Sequence, residues 1–383
     1  MKKYGELTVL IGGDVYPSGR TIPSFIEGDA RSIFHDLIDE FEASDLRIIN
    51  LECPLTNIIN PIQKVGLNLS TDTDCVKALK NAHIDVINLG NNHIMDHGPE
   101  GLYSTMSACE KENIVHIGAG RNIEEASQMR VFDINGISIG LLSYAEHQFS
   151  VAGNDSPGAN PLDLIEFVRT MRKSRKEIDF LIVLLHAGKA QYHYPPPFLQ
   201  KYARFMVEEG ADIIVCQHSH CPIGYEHYLN GQIYYGQGNF IFDMFHDYDE
   251  LWHQGYLVKV TFSKKPSFNT EIIPYNQSDH LEGARKMDDN QGDSFLRYLL
   301  DESNKIKDPS FVKQQWTDYC DRNKYTYFSH LLGHGRLARF MNRTLHFSDL
   351  FYSKKQLLIL KNLFHCESLH EILKTTIAIT HKE

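Results

Sequence analysis

DVINLGNNHIMDHG, residues 85–98, begins as a buried strand and ends as something else. Val86 to Leu89 is an apolar run of the length that a strand covered on both faces needs. Gly90 stops it, and Asn91, Asn92 and His93 follow. Asparagine is a poor strand former, yet its side-chain oxygen and an imidazole nitrogen are both ligand atoms. A strand that carries such groups to its tip predicts an α/β sheet with a site at the carboxyl ends of its strands.

The same unit repeats outward in both directions. LTVLIGGD, LRIINLE, ISIGLLSY, FLIVLLHAG, DIIVCQH and QIYYGQGNF each read as a strand that runs into a polar or glycine-rich tip. Helical periods lie between them. Ser32 to Ala43 places Ile33, Phe34, Leu37, Ile38 and Phe41 on one stripe. Thr71 or Asp72 suits the cap of a segment reaching Asn81, Pro99 suits a first helical turn, and FLQKYARFMVEEG is amphipathic and closes on Gly210. Strand and helix in alternation predict an α/β sandwich with a largely parallel core.

Beyond Phe262 the texture changes to a polar last strand and linker, and from about Ser294 the chain reads helical. This divides it into a site-bearing domain, residues 1–280, and a helical C-terminal extension, residues 281–383. The extension is slightly basic; Leu357, Leu358, Leu360, Leu363, Phe364, Leu369, Ile372 and Leu373 predict packing on the sandwich or on one another, with a homodimer as the second choice.

A chain of 383 residues with 42% hydrophobic content is long enough for a large core. Its net charge of −11 argues against nucleic acid as the main partner, because phosphate backbones are bound by basic surfaces. The apolar part of the N-terminus, Leu7 to Ile11, is too short for a signal peptide, and no run spans a membrane, so the expected location is cytoplasmic. The seven cysteines show no CxxC spacing; Cys216 and Cys221 are read as reduced thiols rather than zinc ligands.

The strand ends, collected, are Asp14, Glu52, Asn91-Asn92-His93, His186, and His218 with His220. Each alone has a plain alternative as a turn, cap or hydrogen-bonded residue. Together, on one rim, they point to a metal centre with oxygen and nitrogen ligands and no thiolate, a donor set suited to manganese, iron or zinc. A carboxylate such as Glu52 can bridge two ions, the arrangement that clamps an in-line phosphoryl displacement. His218 and His220 would share a face on an extended strand, whereas a turn there lets them serve different ions.

GGDVY, NLECPLT, GNNHIMDHG, HAG and EEGADIIVCQHSHCPIGYEHYLNGQIYYGQGNF occur in an order that resembles the bacterial CapA family of poly-gamma-glutamate capsule synthesis proteins, in the calcineurin-like metallophosphoesterase superfamily. The resemblance covers residues 7 to 262. It implies a four-layer α/β/β/α sandwich and two divalent metal ions. By the same resemblance Asp14 and His220 hold the first metal, Glu52 bridges, and Asn92, His186 and His218 hold the second. His93 is implied as the general acid with Asp96 orienting it. Asn91, Tyr16, Tyr192 and Asn239 are candidates for substrate binding. Tyr16 stands where the superfamily usually has a histidine ligand, and Ala187 where relatives carry an aromatic residue, a change expected to enlarge the pocket.

The implied activity is phosphoester hydrolysis in capsule or surface polysaccharide synthesis, on a phosphorylated sugar, lipid-linked or polymer substrate. A non-catalytic component of polymer synthesis or export is the alternative, and a phosphodiesterase is a third reading. Arg20 and Lys189 are weighed as phosphate-neutralising cations against solvated surface charges, and His97 is read as solvent-facing.

Overall fold

Period-two burial sets the architecture. In the strand Glu6–Tyr16, Leu7, Val9 and Ile11 point into one apolar cluster while Leu10 and Val15 point into another. Both faces of the strand are therefore covered, as its unbroken apolar run requires. The computed structural model describes residues 5–244, 250–264, 267–331, 335–346, 348, 352–366, 368–370, 372–373 and 377.

Two sheets face one another. The first runs in the order Ala284–Lys286, Ser267–Gln277, Gln254–Ser263, Glu6–Tyr16, Leu46–Leu51, Val86–Asn88, Val115–Ile117, and Asn239–Phe242 also pairs with Glu6–Tyr16. Its strands from Glu6–Tyr16 to Val115–Ile117 are parallel. The second runs Pro222–Tyr228, Gly231–Gln237, Ile213–Gln217, Phe180–His186, Ile137–Ala145, Arg130–Ile134, parallel in the middle and antiparallel at both edges. Between them lies a cluster of Val9, Ile48, Val86, Leu141, Ile182, Val215 and Tyr256.

Helices cover the outer faces. Ile33, Phe34, Phe41, Leu79, Leu102 and Met106 pack on the first sheet, and Phe167, Met171, Leu199, Ala203 and Met206 on the second. The result is a four-layer α/β/β/α sandwich. The stripe from Ser32 to Ala43 is buried as expected, but it is carried by two short helices, Ala30–Phe34 and Ile38–Ala43, joined by a 3-10 turn, His35–Leu37. Asp72 rather than Thr71 caps the next segment, its side chain accepting from the Asp74 N–H at 2.8 Å.

QIYYGQGNF, expected to be one strand, is two. Gly231–Gln237 belongs to the second sheet and Asn239–Phe242 to the first. The crossing is made at Gly238, with φ +79°, where a Cβ would meet the Gln254 carbonyl at 2.5 Å. Only glycine meets both conditions. This crossing ties the two sheets together directly beside the site.

The chain forms two compact units, Met1–Lys313 and Gln314–Glu383. The first includes the strand Ala284–Lys286 and the helix Asp289–Ile306. Within the second lie the helices Arg336–Leu345 and Lys354–His365. Among the described residues no helix is long and apolar enough to cross a membrane.

Candidate metal centre

Parallel strands of both sheets end at one rim. Asp14 lies near the end of Glu6–Tyr16, Glu52 follows Leu46–Leu51, and Asn91, Asn92 and His93 follow Val86–Asn88; the second sheet adds His186 and, after Ile213–Gln217, His218 and His220. Asp14 is paired in register with both Asn50 and Asn239. His218 and His220 adopt φ +91° and +56°. Two non-glycine residues in this sparsely allowed region, two positions apart, turn the chain so sharply that the histidines diverge. His218 joins Glu52 and His186, and His220 joins Asp14 and Glu52; in each trio the ligand atoms lie within 4.8 Å of one another.

Glu52 is common to both trios and is fully buried. Neither of its oxygens makes a directed hydrogen bond among the described residues. What approaches Oε1 is imidazole nitrogen: His186 Nε2 at 3.3 Å and His220 Nε2 at 3.7 Å. A buried carboxylate without hydrogen bonds is costly unless a cation meets it. Asn92 Oδ1 lies 2.9 Å from His186 Nε2, and His218 Nδ1 lies 3.1 Å from the same nitrogen. These oxygen and nitrogen donors, with no thiolate in either trio, fit divalent ions of the manganese, iron or zinc kind.

The ligand groups perturb one another's ionisation. Burial, and then the charge of Glu52, pushes the Asp14 carboxyl up to about 6. Burial also opposes ionisation of Glu52, but His220 and then His186 outweigh it and hold that carboxyl below the usual carboxylate range. Burial, then His186, holds the His218 imidazole well below its ordinary value, so it stays neutral with a lone pair to give. For His186 burial works the same way, and the Glu52 carboxylate overcomes it and raises the imidazole.

A layer of buried amides supports the ligands. Asn50 Nδ2 donates to Asp14 Oδ1 at 2.8 Å, while Asn50 Oδ1 accepts from Asn88 at 3.0 Å and from Asn91 at 3.2 Å. Gln217 donates to the Gly12 carbonyl at 3.0 Å and Gln237 to that of Ile11 at 2.8 Å. Asn239 Oδ1 lies 2.9 Å from His220 Nδ1, which turns Nε2 of that ring towards Glu52. Asn91 and Asn239, expected at the substrate, are thus fully buried beneath the ligands. Asn91 also accepts the His93 N–H at 3.1 Å.

His93 lines a cavity of about 220 Å³ with Lys64, Val65, Leu67, Asn92 and Trp252 among its walls. Its Nδ1 lies 2.6 Å from Asp96 Oδ2, and the buried Asp96 also accepts from the Leu69 N–H at 2.7 Å and from Lys64. Among the described residues Lys64 is the one lysine or arginine on this cavity wall, and sequence reading missed it. Arg20 is not available for a phosphate: it pairs with Asp243 at 2.8 Å and reaches the Asp279 carbonyl at 3.0 Å. Lys189 turns to the Ala190 carbonyl. His97 is buried, not solvent-facing; its Nδ1 accepts from the Asn60 N–H at 2.9 Å, and burial lowers its imidazole.

Tyr16 sits against the first apolar cluster with its ring 5.2 Å from Phe242, and burial, then Cys53, pushes its hydroxyl up to about 12. Tyr192 is buried beside Tyr194 at 5.9 Å, and its neighbour Gln191 lines the cavity instead. Ala187 is packed in the apolar cluster of the second sheet and does not line the cavity. Cys216 and Cys221 are buried thiols, neither of them in a disulfide, in that same cluster.

Comparison with known proteins gives this geometry its setting. The PGA biosynthesis protein CapA of Bacillus subtilis is 29% identical over 314 residues, 79% of this chain and 81% of its own. The capsule biosynthesis protein CapA of Bacillus anthracis is 30% identical over 248 residues, 62% of this chain and 60% of its own. Among solved structures, the calcineurin-like phosphoesterase YfkN from Bacillus subtilis is 10% identical, with a TM-score of 0.42, over 81% of this chain and 99% of that one. Residues 8–244, which hold every strand tip of the site, match the family described as bacterial capsule synthesis protein PGA_cap, and the chain belongs to that family.

Proposed function

We propose that the chain is a metal-dependent phosphoester hydrolase of capsule or surface polymer synthesis. One observation carries the reading: the buried, hydrogen-bond-poor Glu52 is shared between two ligand trios. Asp14, Glu52 and His220 would hold one divalent ion, and Glu52, His186, His218 and Asn92 a second. Such a pair supplies charge neutralisation at a phosphoryl group and activation of water. The protein's own part is to aim the remaining groups. Asp96 engages Nδ1 of His93 and so leaves Nε2 for the cavity that the ring lines, where it gives a proton to the leaving oxygen. Lys64 balances Asp96 and adds positive charge to the wall. The substrate we infer is a phosphorylated sugar, lipid-linked or polymer intermediate; the last is in keeping with the names of the relatives.

The test is hydrolysis of p-nitrophenyl phosphate and of its bis-ester, with and without added manganese, with His93→Asn as the control. Metal-dependent turnover that the variant loses supports the hydrolase, and the preferred ester separates phosphatase from phosphodiesterase. Loss of both activities in a protein shown by elemental analysis to hold its metal would favour a non-catalytic component instead.

A further inference from the structure

RLARFMNRTL, the helix Arg336–Leu345, is built inside out. The residue that ties it into its own unit is polar: the buried Asn342 donates to the Tyr325 carbonyl at 2.8 Å and to Ser329 Oγ at 2.7 Å, and accepts the Ser348 N–H at 2.9 Å. Its apolar residues point the other way. Leu337 is 72% exposed, Phe340 59%, Met341 40% and Leu345 72%. At 3.6 residues per turn, these four occupy one continuous arc, with Arg336 and Arg343 along its edge. A helix held by a buried amide side chain, with its apolar face outward, departs from the arrangement of a core helix.

The charge around that face has one sign. Residues 322–348 hold five arginines and lysines and no aspartate or glutamate. The whole unit, 314–383, has ten basic residues against six acidic ones, in a chain whose net charge is −11. A second exposed apolar set, Leu358, Ile359 and Phe364, lies on the helix Lys354–His365 with Lys354, Lys355 and Lys361.

We infer that the helix Arg336–Leu345 binds an anionic lipid bilayer surface, lying in the interface with Leu337, Phe340, Met341 and Leu345 in the acyl boundary and its arginines on the headgroup phosphates. Basic edge and apolar face together are the requirement for such a helix, and anionic lipid meets both. A second copy of the chain meets only one, because residues 322–348, the segment that carries this face, offer Arg336 and Arg343 no acidic partner. The arginine stems add apolar contact while the guanidinium groups reach the phosphates.

Flotation of the full chain with vesicles decides it. The protein is expected to float with vesicles of phosphatidylcholine and phosphatidylglycerol at 3:1, and not with phosphatidylcholine alone. Leu337→Ser with Phe340→Ser should abolish flotation, and Arg336→Gln with Arg343→Gln should weaken it by about 25-fold, near fivefold for each arginine. All four positions are exposed, and unchanged thermal melts of both variants confirm folding. Failure to float with the anionic vesicles overturns the inference, as does flotation that neither variant alters. If the serine variant instead turns a dimer into a monomer by light scattering, the face joins two copies and the lipid reading fails.

Discussion

Asp96 Oδ2 lies 2.6 Å from Nδ1 of His93, three residues before it in the same turn. That contact fixes which nitrogen of the ring is free. If His93 is the acid, His93→Asn keeps its metal and loses roughly 10²- to 10⁴-fold in turnover. Asp96→Asn, with the ring free to change tautomer, should lose less. Elemental analysis beside steady-state kinetics checks both, and full activity in His93→Asn would end the assignment.

Lys64 comes to Asp96 from the loop before Leu69, and its side chain is almost wholly buried. Replacing it with methionine leaves the Asp96 charge without its cation. A cost in stability of about 3 kcal/mol is expected, with lower kcat at unchanged metal content. Lys64→Arg should restore part of both, and a methionine variant with wild-type melting and turnover would refute the role.

Asn239 is fully buried, and its Oδ1 lies 2.9 Å from Nδ1 of His220. Asn239→Ala frees that ring to rotate, and metal affinity should fall by about 10- to 100-fold. Titration of the metal-free protein with manganese, followed by calorimetry, measures this directly. An unchanged affinity would return Asn239 to the list of substrate contacts.

The metal-free site should also betray itself in its pH dependence. The Asp14 carboxyl is pushed up to about 6 against an ordinary 3.8, so the folded chain keeps a proton that the unfolded chain gives up. By linkage its contribution to stability is greatest below 3.8 and declines as pH rises towards 6. In chelator-treated protein, Asp14→Asn should therefore gain in melting temperature over wild type as pH goes from 4 to 6. Parallel curves for the two proteins would contradict the raised value.

The sandwich and the convergence of strand tips were legible because apolar runs broken by Asp14, Glu52, Asn92, His186 and His218 carry both messages at once. What stayed hidden depends on contacts remote in sequence. Asn50 and Asn88 were absorbed into the apolar runs RIINL and VINLG, although an asparagine at the same register of two neighbouring strands is itself a signal. Lys64 lies in a loop without periodicity. Arg20 finds its partner Asp243 across 223 residues, and His97 is buried by a loop that turns back over it. The sheet crossing at Gly238 was unreadable for another reason: YYGQGNF has strand composition throughout, and only the approach of Gln254 forces the break.

Away from the site, Glu226 ties one helix of the outer layer to the second sheet. Buried in the strand Pro222–Tyr228, it accepts from Arg204 Nε at 2.9 Å and Nη2 at 2.7 Å, and from the buried Tyr235 hydroxyl. Arg204 lies on the helix Pro197–Glu208, so the fork joins helix to sheet. Glu226→Ala strands a largely buried guanidinium and a hydroxyl, and breaking such a pair costs about 3–5 kcal/mol. The double variant Arg204→Met with Glu226→Leu should recover most of that loss, because it removes both charges and keeps apolar volume. Denaturant unfolding of the metal-loaded protein measures each step. A single variant that loses less than about 1 kcal/mol would show the pair to be no stronger than an exposed one.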